Sequence, residues 1–244
     1  MRQKYILVTG SSRGIGKAIA LKFASKGFHV FLNCRRSLTQ LSQVRDTILA
    51  MNPGGCTLVP GDAGNPEDVR RIFDTVHSLC PALDVLINNA GISHTGLLID
   101  MTDAQWESLL AANLSSAFYC SREALRHMVP EKSGRIINIS SMWGTCGASC
   151  EAAYSAVKSG MNGLTRALAK EYAPSHIAVN AIACGVIDTV MNEHLSPDEQ
   201  ASLAYEIPAG RFGTPEEVAE LAWKITGSPV YMTGQVIGID GGYI

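Results

Sequence analysis

A glycine-rich turn directly behind the first apolar run constrains this chain more than any other feature. Tyr5-Ile6-Leu7-Val8-Thr9 is followed at once by Gly10-Ser11-Ser12-Arg13-Gly14-Ile15-Gly16, and then by a stretch with Ile15, Ile19 and Phe23 each four apart. A short, continuous apolar run suits a strand buried on both faces of a parallel sheet, and a spacing of four suits a helix. The glycines between them let the chain turn sharply and let a pyrophosphate approach backbone with no Cβ in the way. The start of the helix then offers free N–H groups and the positive end of its dipole. A turn in this position predicts a dinucleotide-binding α/β unit.

The alternation continues along the chain. Val30-Phe31-Leu32, Thr57-Leu58-Val59, Val85-Leu86-Ile87 and residues 135–139, 177–183 and 236–239 read as strands. Helices are expected over 14–26, closed by Gly27; over 38–51, stopped by Asn52-Pro53-Gly54-Gly55; and over 66–78, capped by Asn65 with Pro66 first. Further helices are expected over 103–112, 117–128 and 152–172. Strands alternating with helices predict a Rossmann-type doubly wound parallel sheet of about seven strands, flanked by helices on both faces. Apolar residues make up 46% of the 244, enough for a large core. With no repeat, low-complexity segment or linker, residues 1–244 are expected to form a single domain.

Other classes are disfavoured. Charged residues are only 17% and the formal charge is −2, so neither a basic nucleic-acid surface nor an acidic tail is indicated. The seven cysteines are scattered, with no CxxC, and the histidines form no HExxH. A disulfide framework or metal site is therefore not expected. Cys146 and Cys150, four apart, read as small apolar fillers rather than a redox pair. The opening apolar run is too short for a signal peptide, and no stretch approaches a membrane span. Free thiols fit a reducing compartment, so a soluble cytoplasmic protein is expected.

The glycine spacing is TGxxxGxG rather than the usual GxGxxG, and here the sequence resembles the short-chain dehydrogenase/reductase family. Asn88-Asn89-Ala90-Gly91 resembles that family's NNAG motif. The resemblance implies a nicotinamide dinucleotide held by Gly10, Ser12, Arg13, Gly14, Ile15 and Gly16. It adds Asp62 and Ala63 near the adenine, Asn89, Ala90 and Gly91 beyond them, and Gly185, Ile187 and Thr189 near the nicotinamide. Chains selective for NAD usually end the second strand with an acid that holds the ribose 2′-hydroxyl. This one reads Leu32-Asn33-Cys34-Arg35-Arg36. A guanidinium pairs well with a 2′-phosphate where a carboxylate would repel it. NADP(H) is therefore the expected cofactor, with Arg35 the stronger candidate, Arg36 beside it and Arg13 a second cation.

Tyr154 and Lys158 stand one helical turn apart, so they share a face. Carbonyl reduction needs a proton donor, and a free phenol, with pKa about 10, holds its proton too tightly. An ammonium about 4 Å away would stabilise phenolate by ~4 kcal/mol at an effective dielectric of ~20, enough to bring the phenol near neutrality. The resemblance assigns Ser141, thirteen residues before Tyr154, to polarising the carbonyl, with Ser140 the competing hydroxyl. It assigns Asn113 to holding a water that links Lys158 to solvent, and Lys158 also to the nicotinamide ribose.

Within the family the nearest resemblance is to 3-oxoacyl-[acyl-carrier-protein] reductases, carried by residues 134–141, 210–219, 233–236 and 240–242. It implies reduction of a ketone to a secondary alcohol, an acyl-thioester or other small carbonyl substrate, an acyl carrier protein as partner, and a homotetramer built on helices 117–128 and 152–172. No nucleic acid or membrane is implied. The departures are Cys184-Gly185 where the family has Pro-Gly, and Pro174-Ser175-His176 where a carrier-docking arginine is expected, although Lys132 matches another docking position. A substrate loop is expected over 190–206, with Met191, His194, Leu195, Leu203 and Tyr205; His94 is a further candidate for the pocket wall. Competing readings are a relative acting on a sugar, steroid or small ketone, and a non-catalytic dinucleotide-binding regulator.

Overall fold

The computed structural model describes residues 2–51, 55–192 and 195–244. The Asn52-Pro53-Gly54 stop and His194 lie outside the described residues. The strands are β1 (Lys4–Val8), β2 (Phe28–Leu32), β3 (Cys56–Leu58), β4 (Val85–Asn88), β5 (Gly134–Ser141), β6 (Ile177–Cys184) and β7 (Val236–Ile239). They form one seven-stranded sheet in the order β3-β2-β1-β4-β5-β6-β7, and every pairing is parallel. The chain winds outward from β1 to β3, then restarts at β4 on the other side of β1. That reversal opens a crevice beyond the carboxyl ends of β1 and β4, where open α/β sheets bind ligands.

The helices are α1 (Gly14–Ser25), α2 (Leu38–Met51), α3 (Pro66–Leu79), α4 (Asp103–Leu110) and α5 (Ser116–Glu131). After them come α6 (Trp143–Cys146), α7 (Ala152–Tyr172), α8 (Pro197–Glu206) and α9 (Pro215–Thr226). Ile6 and Val8 of β1 join Val30, Leu32, Ile137 and Ile182 beneath α1, α2 and α9. Leu7, one residue out of phase, joins Phe31, Leu86 and Ile136 beneath α3, α5 and α7. Both faces of the sheet are thus covered, which is why its central strands read as unbroken apolar runs. Each such side chain contributes about 1.5–3 kcal/mol on burial.

Three local differences from the sequence reading matter. The two helices expected over 103–112 and 117–128 are one continuous helical run, widened into a π-turn at Ala111–Ser115. No glycine or proline separates them, and the Ser116 hydroxyl bonds back to the carbonyls of Ala112 and Asn113. Second, β5 extends to Ser141, placing that residue at the strand's end. Third, α8 and α9 were not anticipated. Each opens on a capping box followed by proline, Ser196-Pro197 with Glu199 and Thr214-Pro215 with Glu217. Those start signals are legible in the sequence.

Candidate active site

The glycine turn is bolted to the loop after β4. The Thr9 hydroxyl accepts from the backbone N–H groups of Asn89 (2.9 Å) and Ala90 (3.0 Å). The Asn89 amide donates to the carbonyls of Thr9 (2.9 Å) and Gly10 (3.1 Å). Gly10 has φ +64°, and a Cβ there would lie 3.0 Å from the Ala90 Cα. At Gly16 it would lie 2.3 Å from the Gly10 carbonyl oxygen. No side chain caps the start of α1, where Arg13 is the N-cap residue. The first turn's N–H groups are therefore left without side-chain partners beside a backbone that lacks a Cβ at Gly10, Gly14 and Gly16, an arrangement that suits a pyrophosphate.

Asn33, noted in the sequence only for not being an acid, is a structural clamp. Its amide donates to the carbonyls of Val59 (2.9 Å) and Gly61 (3.1 Å) and its oxygen accepts from the Gly10 N–H (3.3 Å). A polar residue at the end of a buried strand was the available signal. Arg35 Nε lies 2.9 Å from Asp62 Oδ2, so the ends of β2 and β3 meet in an ion pair. Asp62 also accepts from the Gly64 N–H (2.9 Å), and Ala63 is buried beside it. Arg13 and Arg36 are exposed. Ile15 packs partly against the core and Ser12 is buried.

Farther along, Gly185 is pressed against Asp240, whose Cα would lie 2.6 Å from an added Cβ. Ile187 is buried and bridges Gly213. The chain then crosses back over the glycine turn, with the Thr189 methyl 3.4 Å from where a Gly14 Cβ would stand. His94 sits beside Gly96, and the Gly96 N–H donates to the Cys150 carbonyl (2.7 Å), joining the loop after β4 to the loop before α7.

Ser141, Tyr154, Lys158 and Asn113 gather at the carboxyl end of β5. The Ser141 hydroxyl lies close enough to the Tyr154 phenol to draw its pKa down against the burial that raises it. Ser141 Oγ also accepts from the Trp143 N–H (3.2 Å). Lys158 Nζ lies 5.6 Å from the centre of the Tyr154 ring and donates to the Ile139 carbonyl (2.9 Å). Ser140 instead donates to the Lys158 carbonyl (3.4 Å). On the π-turn, the Asn113 amide donates to Leu109 and Ile92 carbonyls, each at 2.9 Å. Its Oδ1 is buried with no partner and faces Gly91. A Cβ at Gly91 would stand 2.5 Å from that oxygen and 3.7 Å from Lys158 Nζ. A buried, unmatched oxygen costs about 1–3 kcal/mol, and a bridging water is the usual remedy.

Burial dominates the electrostatics here. It pushes the Tyr154 phenol pKa up, with Cys184 and Glu151 adding to the rise and the Ser141 hydrogen bond opposing it. It pulls Lys158 down to about 8, Cys184 opposing. The Cys184 thiol, standing where the sequence departs from Pro-Gly, is pushed up to about 12. An ammonium about 4 Å away would lower the phenol's pKa to near neutrality, but desolvation here outweighs any such pull and raises it.

The profile of the family described as short chain dehydrogenase matches residues 4–200. A 3-oxoacyl-[acyl-carrier-protein] reductase from Synechocystis is 40% identical over 240 residues, covering 98% of this chain and 96% of that one. A crystal structure of a proposed gluconate dehydrogenase from Agrobacterium tumefaciens superposes with TM-score 0.93 at 33% identity, covering 98% of this chain and 95% of that one. Another, of YwfH, an NADPH-dependent reductase involved in bacilysin biosynthesis, gives TM-score 0.91 at 29% identity over 100% and 99%.

Proposed function

This chain belongs to the short-chain dehydrogenase family, and from that premise we propose that it uses NADPH to reduce the ketone of a 3-oxoacyl thioester to a secondary alcohol. It is an oxidoreductase acting on alcohol and carbonyl groups. The observation that carries the finer reading is the convergence of Ser141, Tyr154, Lys158 and the unpartnered Asn113 oxygen beside the glycine crevice. A regulator without turnover has no use for that set.

The cradle of Gly10, Gly14 and Gly16, with Ser12 and Ile15, would take the pyrophosphate. Arg13, Arg35 and Arg36 would take the 2′-phosphate, and Asp62 and Ala63 the adenine side. Asn89, Ala90, Gly91, Gly185, Ile187 and Thr189 would line the nicotinamide side, with Tyr154 and Lys158 at its ribose. Bound NADPH supplies the hydride. Ser141 hydrogen-bonds the substrate's carbonyl oxygen while Tyr154 gives it a proton. The phenolate left behind is stabilised by the Lys158 ammonium. A lysine whose pKa has dropped to about 8 also releases a proton readily near neutral pH, which suits it to reprotonating Tyr154. Asn113 Oδ1 holds the water that returns this proton from solvent.

A second reading, another ketone or alcohol, is favoured by the Pro174-Ser175-His176 departure and by the gluconate and bacilysin names among the structural neighbours. In the first reading Lys132 helps dock an acidic acyl carrier protein. The groove between α5 and α7, lined by Phe118, Leu125, Val129, Leu164 and Leu168, fits a second copy, the basis of a homotetramer. No helix among the described residues is long and apolar enough to cross a membrane, and a cytoplasmic location completes the proposal. Steady-state oxidation of NADPH with an acetoacetyl thioester tests it. NADPH should be preferred to NADH, and Arg35→Ala should erode that preference about 10–100-fold, the range of one charge-assisted hydrogen bond. Equal use of NADH by the unaltered protein contradicts the cofactor reading, and no turnover across a ketone and alcohol panel contradicts the rest.

A further inference from the structure

The five residues after β7 touch three walls of the candidate site. Gly185, at the end of β6, packs on Asp240, and its N–H donates to the Ile239 carbonyl (2.9 Å). Gly241 and Gly242 both adopt positive φ, +69° and +82°, and the Gly242 N–H donates to Asp240 Oδ1 (2.9 Å). This tight turn needs glycine, because those backbone angles strain any residue with a Cβ. The space confirms the need at Gly241, where a Cβ would lie 2.8 Å from the Ile207 side chain. The Gly241 carbonyl accepts from the Ala209 N–H (3.0 Å). The turn therefore seats the stretch just after α8, where Ile207 is buried.

Tyr243, half-buried, then turns back across the surface. Its hydroxyl donates to Glu206 Oε2 (2.8 Å), the last residue of α8. The carboxylate keeps the phenol protonated, raising its pKa. The Tyr243 ring meets the Trp143 ring edge-on, centres 5.9 Å apart at 65°. The Trp143 backbone N–H donates to Ser141 Oγ, and its side chain packs against the apolar cluster of Tyr154 and Val157. One side chain thus joins the end of α8 to the wall carrying Ser141. The helix it holds needs an anchor, because no residue of α8 is fully buried.

We propose that Tyr243 is a positioning residue for substrate: its hydroxyl latches α8 over the site through Glu206, and its ring braces Trp143 behind Ser141. Release of the latch frees α8 and loosens the substrate's hold while leaving the reacting groups in place. The kinetic half of this proposal rests on the reductase reading; the structural half does not.

The test uses the full chain with Tyr243→Phe, Glu206→Ala, Glu206→Gln and the Tyr243→Phe/Glu206→Ala pair. Hydrogen exchange of the α8 amides should quicken about 2–10-fold in Tyr243→Phe and Glu206→Ala, the factor set by one net hydrogen bond. The β5 and α7 amides should be unchanged. Glu206→Gln keeps an acceptor oxygen and should restore wild-type exchange. The pair should be no worse than either single change. KM for the carbonyl substrate should rise in step with α8 exchange while kcat stays within about twofold. Wild-type exchange in α8 of Tyr243→Phe, or equal quickening throughout the protein, overturns the latch. Absence of turnover in the unaltered protein overturns the reductase reading alone, because exchange still decides the latch.

Discussion

The wall that carries Ser141, Tyr154, Lys158 and Asn113 and the α8 segment joined to it through Tyr243 are built in opposite ways. Asn113 and Lys158 are buried within the protein, and Tyr154 and Ser141 are nearly so. Behind them Asn88 donates to Ser121 (3.0 Å) and Asn138 (2.8 Å), and Asn138 donates to Thr165 (2.8 Å), tying α5 and α7 to the sheet. The α8 segment has no buried residue, and its helix is closed mainly on itself by the Ser196–Glu199 capping box. Reacting groups need positions held to a fraction of an ångström, and rigid elements with locked neighbours supply them. Substrate contacts tolerate movement and vary between relatives, which suits an exposed segment.

The contrast can be broken from either side. Tyr154→Phe should lower kcat about 10²–10⁴-fold, the usual worth of a positioned proton donor, while NADPH affinity by fluorescence titration stays near wild type. A loss of cofactor affinity instead would mean that the wall serves binding rather than chemistry. Lys158→Met should abolish turnover yet stabilise the fold by about 1–3 kcal/mol in urea melts at pH 7, because a buried ammonium carries a desolvation cost. The sign follows from its pKa, lowered to about 8 by burial. The folded chain binds that proton less tightly than the unfolded chain, so the cost is full below about pH 8 and fades as pH climbs towards the unfolded value of ~10.4. The variant's advantage should shrink over that window, and a constant advantage would refute the cause. Leu203→Ala, on α8, should shift stability by no more than about 0.5 kcal/mol and change KM rather than kcat.

Local features were legible in the sequence, and features that depend on distant packing were not. The glycine turn, the Asn65 cap and the 152–172 helix follow from spacing within a few residues, and the structure has each of them. The strand order is not fixed by that alternation, which calls only for a parallel sheet covered on both faces. The π-turn was hidden, because 103–128 contains no glycine or proline to mark it. Thr9 and Asn33 act on partners from other strands, up to some eighty residues away in the case of Thr9. The Arg35–Asp62 pair likewise joins two strand ends. Tyr154's raised proton affinity comes first from desolvation, which a YxxxK spacing does not count.

In the proposed mechanism, turnover depends on proton delivery from the buried Tyr154–Lys158 pair. The decisive measurement is the pH profile of acetoacetyl-thioester reduction at saturating NADPH. The rate should be level through neutral pH and fall as pH rises past about 8, where Lys158 loses the proton it supplies. A rate that stays level to pH ~10, or that falls only on the acid side, would contradict the assignment.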